Sequence, residues 1–183
     1  MRLSARVDYA LRAAAELAAH AEASASGPGV AARGRAGAVA RPGPGGRGEN
    51  GPARRPVPVT ADQIARAQDI PPKFLESILL QLRRGGIVHA QRGPEGGYWL
   101  ARPAAEISLA EVIRVIDGPL ANIRGHRPED LGYQGAARAL QEVWIALRAS
   151  EREILDSVTI ADVAGEKLPK RVRELAADPS AWI

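Results

Sequence analysis

The sequence predicts a mainly α-helical chain with one small β element, and three observations carry that prediction. Residues 3–22 place Leu3, Val7, Leu11, Ala14, Ala15, Leu17 and Ala18 on one helical face. Residues 60–102 read as a helix, a tight turn, a second helix opened by prolines, then two short apolar segments around a glycine-rich tip. Residues 135–158 repeat apolar side chains at three- and four-residue steps over the length of one long helix.

The elements follow in order. Alanine favours helix throughout residues 3–22. Residues 24–58 then hold nine Gly, six Pro and no aromatic residue. Such a segment buries too little apolar surface to offset its chain entropy, so disorder is expected. It also holds six arginines (33, 35, 41, 47, 54 and 55) against Glu49, which makes it +5 within a chain of net charge +4. The remainder is therefore near neutral, at −1. Two readings stay open for this insert: a tolerated loop insertion, or an arginine-bearing arm that touches DNA phosphates.

Thr60 caps the next helix, with Gln63 placed to complete a capping box. Ile64 and Ala65 face inward, Asp69 and Ile70 make a turn, and Pro71 and Pro72 open the second helix, where a missing N–H costs nothing. Within residues 71–84, Leu75, Ile78, Leu79 and Leu82 form an apolar stripe, while Lys73, Glu76, Ser77 and Gln81 point away from it. Gly85 and Gly86 stop the helix. Residues 87–90 and 98–100 then flank the tip Arg92-Gly93-Pro94-Glu95-Gly96-Gly97 as two short strands. This is the layout of a winged helix-turn-helix, in which the stripe holds the helix and the polar face is free to enter a major groove of double-stranded DNA. Spacing alone leaves a merely solvated face as an equal alternative.

Ser108 caps a further helix, with Glu111 at the capping-box position and Val112, Ile113, Val115 and Ile116 on its apolar side. Asp117-Gly118-Pro119 ends it. Residues 120–134 read as irregular. In residues 135–158, Ala136, Leu140, Val143, Trp144, Leu147, Ile154, Leu155 and Val158 mark the apolar face. A helix of this length needs something to pack on, and a second copy of the chain is the expected partner. Residues 159–163 start a short further element, residues 169–177 a last helical piece, and residues 178–183 a frayed tail.

These residues resemble the Rrf-two (Rrf2) family of bacterial transcriptional regulators, the family of the iron–sulfur, nitric-oxide and cysteine-metabolism repressors. The resemblance runs through Met1-Arg2-Leu3-Ser4, Tyr9-Ala10-Leu11-Arg12, Ile64-Ala65, Ile70-Pro71, Phe74-Leu75-Glu76 and residues 79–82. It continues through the tip and strand at residues 92–101, residues 106–112, Asp117-Gly118-Pro119, Trp144 and residues 158–163. It implies a winged helix-turn-helix domain plus a long dimerisation helix. It implies base-edge contact by the positions of Lys73, Glu76 and Ser77 on the second helix, with Phe74 and Gln81 as further DNA-binding candidates there. Arg92 at the wing tip is a candidate for the minor groove, with a solvated turn as the alternative, and Arg2, Arg6 and Arg12 are candidates for phosphates, with surface solvation as the alternative. A glutamate accepts from a cytosine amino group, and lysine contacts guanine or phosphate. The resemblance also implies a homodimer, with Leu140, Val143, Trp144, Leu147, Ile154 and Leu155 at the dimerisation face.

The expected organisation is a first helix of the DNA-binding domain (1–23), the insert (24–58) and a winged helix-turn-helix core (59–119). An irregular loop follows at the family's cluster position (120–134), then a dimerisation helix with C-terminal elements (135–177) and a tail (178–183). One departure matters. Many members place three cysteines in that loop to hold an iron–sulfur cluster, and this chain has no cysteine. Clusters need soft sulfur ligands, so no cofactor and no metal are expected. Arg124, His126 and Tyr133 become candidates for sensing an unknown small-molecule effector, with simple surface pairing as the alternative. His20, His89 and His126 share no ligand-like spacing.

No thiol is available for catalysis, no serine sits in a strand-turn-helix elbow, and no phosphate-binding glycine loop is present, so an enzyme is not expected. No stretch has the apolar length of a membrane span, and the chain starts with early charges, so a cytoplasmic protein with no membrane partner is expected. The leading expectation is a homodimeric, sequence-specific DNA-binding regulator acting as a repressor at a palindromic operator. The alternatives are a nucleic-acid-associated protein using its Arg/Gly-rich arm, or a small enzyme with an unrecognised site.

Overall fold

A computed structural model describes residues 3–26 and 57–182. The expected disorder of residues 24–58 and the phosphate role of Arg2 therefore fall outside the described residues, save the ends of the insert at 24–26 and 57–58. The first helix, α1 (Ala5–Ser26), runs past residue 22, because Ala21, Ala23 and Ala25 continue its helical preference.

Helix α2 (Ala61–Gln68) carries the expected capping box. Gln63 N donates to Thr60 Oγ1 at 3.2 Å, and Thr60 N donates to Gln63 Oε1 at 2.8 Å. Asp69 adopts φ 49 and turns the chain, and buried Ile70 leads into α3 (Pro72–Arg84), for which Pro71 is the N-cap. Two antiparallel strands follow, β1 (Val88–Gln91) and β2 (Gly97–Leu100), in the register Val88↔Leu100 and Gln91↔Gly97. Both begin one residue away from the apolar runs. Ile87 precedes β1, fully buried, with its N–H on Leu82 O and its carbonyl accepting from Ala101 N, both at 2.9 Å. Val59 bonds to Tyr98 through both backbone groups, at 2.9 and 2.8 Å. A Cβ on Gly97 would lie 2.6 Å from Val59 O, so glycine is what lets that segment close on the wing.

Helix α4 (Leu109–Asp117) corrects one expectation. Ser108 Oγ accepts from Glu111 N at 3.2 Å, but the Glu111 carboxylate reaches Arg102 instead of returning to the cap. The long helix is also shorter than residues 135–158: Gly135 adopts φ 57 and opens a 3-10 turn, and α5 spans Leu140–Ser157. Helices α6 (Ile160–Ala164) and α7 (Lys170–Ala177) follow. The tail does not fray over its described part. Pro179–Trp182 forms a 3-10 turn, and Trp182 Nε1 donates to Ala176 O at 3.1 Å.

The core is wholly apolar: among the described residues no polar or charged residue is buried. Ala10, Ala13, Ala14 and Ala18 of α1 are buried with Leu17, and their small side chains let other helices approach closely. Ile64, the four-residue stripe of α3, Ile87, Ile107, Val112 and Ile160 belong to the same cluster. Each of the larger side chains contributes roughly 1.5–3 kcal/mol by leaving water. Ile160 brings α6 into the same core as α1, although the sequence groups α6 with the C-terminal elements. The reason is a pair of backbone bonds, Leu109 N to Val158 O and Ile160 N to Ile107 O, both 2.9 Å, which seat α6 beside the start of α4. A smaller cluster of Val7, Ala110, Ile113 and Leu120 takes Leu155 as the apolar anchor of α5.

Candidate nucleic-acid interface

Helix α3 presents two faces as its spacing demands. Leu75, Ile78, Leu79 and Leu82 are fully buried, while Lys73, Phe74 and Glu76 are exposed. The remaining polar residues behave differently. Ser77 is half-buried and its hydroxyl donates to Phe74 O at 2.9 Å, a bond back to its own helix. Gln81 is also half-buried, and its Oε1 accepts from Arg6 Nη2 at 2.5 Å. That bond ties α1 to α3 and joins two candidates that the sequence treats as separate.

The same outer face carries residues that spacing reasoning missed. Leu80, Arg83 and Arg84 are exposed. The signal was present, because positions 73, 76, 80 and 84 repeat at helical steps, and Leu80 lies off the buried stripe. Arg83 and Arg84 also put positive charge at the helix C-terminus, where the macrodipole is negative.

The wing stands beside this face. A groove of about 540 Å³ runs between them, lined among others by Glu76, Leu80, Arg83, Gln91, Arg92 and Tyr98. Arg92 is exposed at the turn, which Gly93 (φ 118) and the bond from Gly96 N to Gly93 O at 2.9 Å keep tight. His89 and Trp99, opposite each other in the ladder, have ring centroids 5.8 Å apart. On α1, Arg12 donates to Gln68 O at 2.7 Å, pairs with Asp8 at 3.0 Å and stacks over Tyr9. Arg12 therefore spends its charge inside the fold. Phe74 lies against Tyr9, ring centroids 6.3 Å apart.

The 120–134 segment is organised by local bonds. Ile123 and His126 exchange two backbone bonds of 3.0 Å around Arg124 (φ 55) and Gly125 (φ 80), and Pro128–Asp130 adds a 3-10 turn. Arg124 and His126 are exposed on that small hairpin. Tyr133 is half-buried, and its hydroxyl accepts from Trp144 Nε1 at 3.1 Å. Among the described residues no hydrogen bond joins these three sensing candidates to each other.

Helix α5 divides the residues assigned to its dimerisation face. Trp144 reaches Tyr133, and Leu155 packs on the smaller core cluster. Leu140, Val143 and Leu147 remain 40%, 52% and 44% exposed, and Ile154 is half-buried. Gln141 donates to the carbonyls of Pro128 and Glu129, and Arg148 pairs with Glu129 at 2.5 Å, so the inner face of α5 is held mainly by polar contacts. The Arg148 hydrogen bond holds the Glu129 carboxyl below its ordinary value. Asp156 feels two opposed effects. Partial burial pushes its carboxyl up, but the bonds from Arg114 at 2.8 Å and Arg152 at 3.2 Å outweigh it and leave it lowered.

An exposed recognition helix seated on an apolar stripe, with a glycine-tipped wing at its side, defines a winged helix-turn-helix DNA-binding protein. The comparisons narrow the class. A family model described as Rrf2, iron-dependent transcriptional regulator, matches residues 53–166. Rv1287 of Mycobacterium tuberculosis, named as an HTH-type transcriptional regulator, is 44% identical over 178 residues, spanning 97% of this chain and 90% of that protein. The HTH-type regulator CymR of Bacillus subtilis is 32% identical over 107 residues, 58% of this chain and 72% of CymR. The solved structure of B. subtilis CymR, the global cysteine regulator of that organism, superposes with a TM-score of 0.62 at 26% identity, covering 91% of this chain and 98% of CymR. T. potens IscR shares the fold at a TM-score of 0.60 and 23% identity, covering 100% of this chain and 97% of IscR. The chain belongs to the Rrf2 family of transcriptional regulators.

An iron–sulfur cluster does not fit its residues. There is no cysteine, and the loop at the family's cluster position offers hard oxygen and nitrogen donors, of which Glu129 is already engaged by Arg148. Among the described residues no three His, Asp or Glu side chains gather as a metal site, and no helix is long and apolar enough to cross a membrane.

Proposed function

We propose that this chain is a cytoplasmic, homodimeric repressor that binds a palindromic operator, each subunit placing α3 in one major groove with its wing alongside. One observation carries the reading: the exposed face of Lys73, Glu76, Leu80, Arg83 and Arg84 runs beside the Arg92 wing across an open groove. Lys73 and Glu76 supply a donor and an acceptor for base edges, and the arginines supply charge for phosphates. Phe74 adds apolar surface at the helix start, while Ser77 and Gln81, half-buried and bonded within the fold, act from the edge of the face.

The dimer is supported by the apolar residues Leu140, Val143 and Leu147, left exposed on one side of α5 with Ile154 at their edge. Two-fold symmetry in the protein then demands two-fold symmetry in the operator. Selection of bound sequences from a random duplex pool tests both at once. Inverted half-sites spaced by about one helical turn support the reading, and a single asymmetric site overturns it. A promoter-reporter assay then distinguishes repression, seen as rising output on deletion of the protein, from activation.

A further inference from the structure

A second charged site lies away from the recognition face. Between the end of α4, the loop after it and the inner side of α5 is a cleft of about 490 Å³, and four of its lining residues are Arg114, Arg127, Arg148 and Arg152. They converge from three segments: Arg114 from α4, Arg127 from the loop, and Arg148 and Arg152 one turn apart on α5.

The charges do not balance. Glu129 pairs with Arg148, and Asp156 is shared between Arg114 and Arg152. The Arg127 carbonyl accepts from Asp130 N at 3.0 Å, but its guanidinium makes no ion pair or hydrogen bond among the described residues and acts on Glu129 only through its charge. Four guanidiniums that stay ionised at any working pH therefore face two carboxylates. Like charges one turn apart on a helix repel by a few tenths of a kcal/mol; Asp156 one turn further offsets this for Arg152, while Arg148 finds its partner, Glu129, outside α5. Each guanidinium offers about five N–H donors in a planar fork that matches a carboxylate or phosphate, and most of these donors are unused. A cleft of this volume is within the range of small-molecule sites.

We infer that this cleft is an effector site for a small polyanion carrying at least two carboxylate or phosphate groups. Two negative charges match the excess; a monoanion leaves one guanidinium unpaired. Glu129, the carboxylate that lines the cleft, disfavours a long phosphate chain more than a compact ligand. A bound polyanion joins Arg114, on a helix packed in the core beneath α3, to Arg148 and Arg152 on α5. It thereby fixes the setting of α5 against the DNA-binding core. This regulatory role rests on the proposed reading of α5 as the dimer helix, because the two recognition helices are then spaced through it.

The test uses the full-length protein and two probes, citrate and inorganic pyrophosphate, which separate carboxylate from phosphate recognition. Calorimetry without DNA is expected to show saturable binding of at least one probe at one per chain. Arg127→Gln and Arg152→Gln should each weaken it about tenfold or more, roughly the worth of one charge-assisted bond. Arg124→Gln, on the exposed hairpin of the same loop, should leave it unchanged. The probe that binds should then shift operator affinity about fivefold or more in the parent and not in Arg127→Gln. The inference is overturned if neither probe binds, if Arg124→Gln weakens binding as much as Arg127→Gln, or if operator affinity ignores the bound probe. It is equally overturned if Arg127→Gln lowers operator affinity with no probe present, since the arginines would then serve DNA phosphates. Because the calorimetry contains no DNA, loss of the operator model leaves its result standing.

Discussion

Helix α3 has 13 residues and buries four of them completely; α5 has 18 and buries none. Both are amphipathic, yet they are held by different physics. The stripe of α3 is closed on by α1, α2 and the start of β1, so its outer face is presented from a rigid base. Helix α5 has one apolar anchor in Leu155 and otherwise relies on Gln141, Trp144, Arg148 and Asp156. Exposed ion pairs contribute only about 0–1 kcal/mol each. The chain therefore closes the core beneath α3 by itself, whereas the outer apolar residues of α5 stay uncovered. The difference teaches that an apolar helical face states a need for burial without saying where the partner comes from.

The largest expected effect tests the self-sufficient half. Leu79→Ala should cost about 2–5 kcal/mol by leaving a cavity in a closed core. Leu147→Ala, measured by urea denaturation at concentrations too low for self-association, should cost well under that. Equal costs would break the comparison. Next comes the incomplete half. Leu140→Asp with Leu147→Asp should turn dimers into monomers in sedimentation, because charges in an apolar interface are costly without partners. Its far-ultraviolet helix signal and the closed core should survive. Stable dimers would place the interface elsewhere.

How much of this was legible in the sequence depended on the same distinction. Thr60 with Gln63 gave the start of α2, and the stripe of α3 gave its buried face, because caps and periodicity are local signals. Contacts between distant segments were not legible. The Arg6–Gln81 bond spans 75 positions; it engages Gln81, which spacing had placed on the outer face, and Arg6, a phosphate candidate on another helix. The Glu111 carboxylate left its capping box because Arg102, on a neighbouring turn, offered a full charge. The start of α5 was misread because Gly135 fits a helical period yet adopts a positive φ. Seating of α6 in the main core follows from a backbone bridge between residues 108 and 159, which no periodicity announces. The sequence placed its sensing candidates in the 120–134 loop, but none of the three lines the arginine cleft, whose charge comes also from α4 and α5, and only the fold brings those together.

A third prediction sharpens the role of the rigid half. On a selected operator, Lys73→Ala or Glu76→Ala should change base preference and cost roughly 1–3 kcal/mol. Arg83→Gln should weaken all sequences alike and reduce the salt dependence by about one unit of slope, the signature of a phosphate contact. Parent-like binding by both Lys73→Ala and Glu76→Ala would move the reading surface off the start of α3.

The smallest effect separates the two halves by how their carboxylates are held. Asp162 accepts from Thr159 Oγ1 at 2.7 Å and Thr159 N at 2.8 Å, and those bonds hold its carboxyl below the ordinary value. Asp156, at the end of α5, is pushed up by partial burial but lowered more by the bonds and charges of Arg114 and Arg152. Both folded-state values are depressed, so the sign is the same. Each contribution is fully present above the unfolded-state value and is lost as pH falls through the folded-state value. The amide replacements Asp162→Asn and Asp156→Asn should therefore destabilise at neutral pH, by about 1 kcal/mol for the cap, with the gap to the parent closing in acid. Salt should split them. Asp162 is held by a hydroxyl and a backbone N–H, which ionic strength does not screen, whereas exposed guanidinium partners are screened within about 3 Å at 1 M salt. Urea midpoints at neutral pH in low and in 1 M salt should thus show a persistent deficit for Asp162→Asn and a vanishing one for Asp156→Asn. If both deficits vanish together, the seam beside α6 is electrostatic after all, and the division between a packed half and a charge-held half does not run where the burial of α3 and α5 places it.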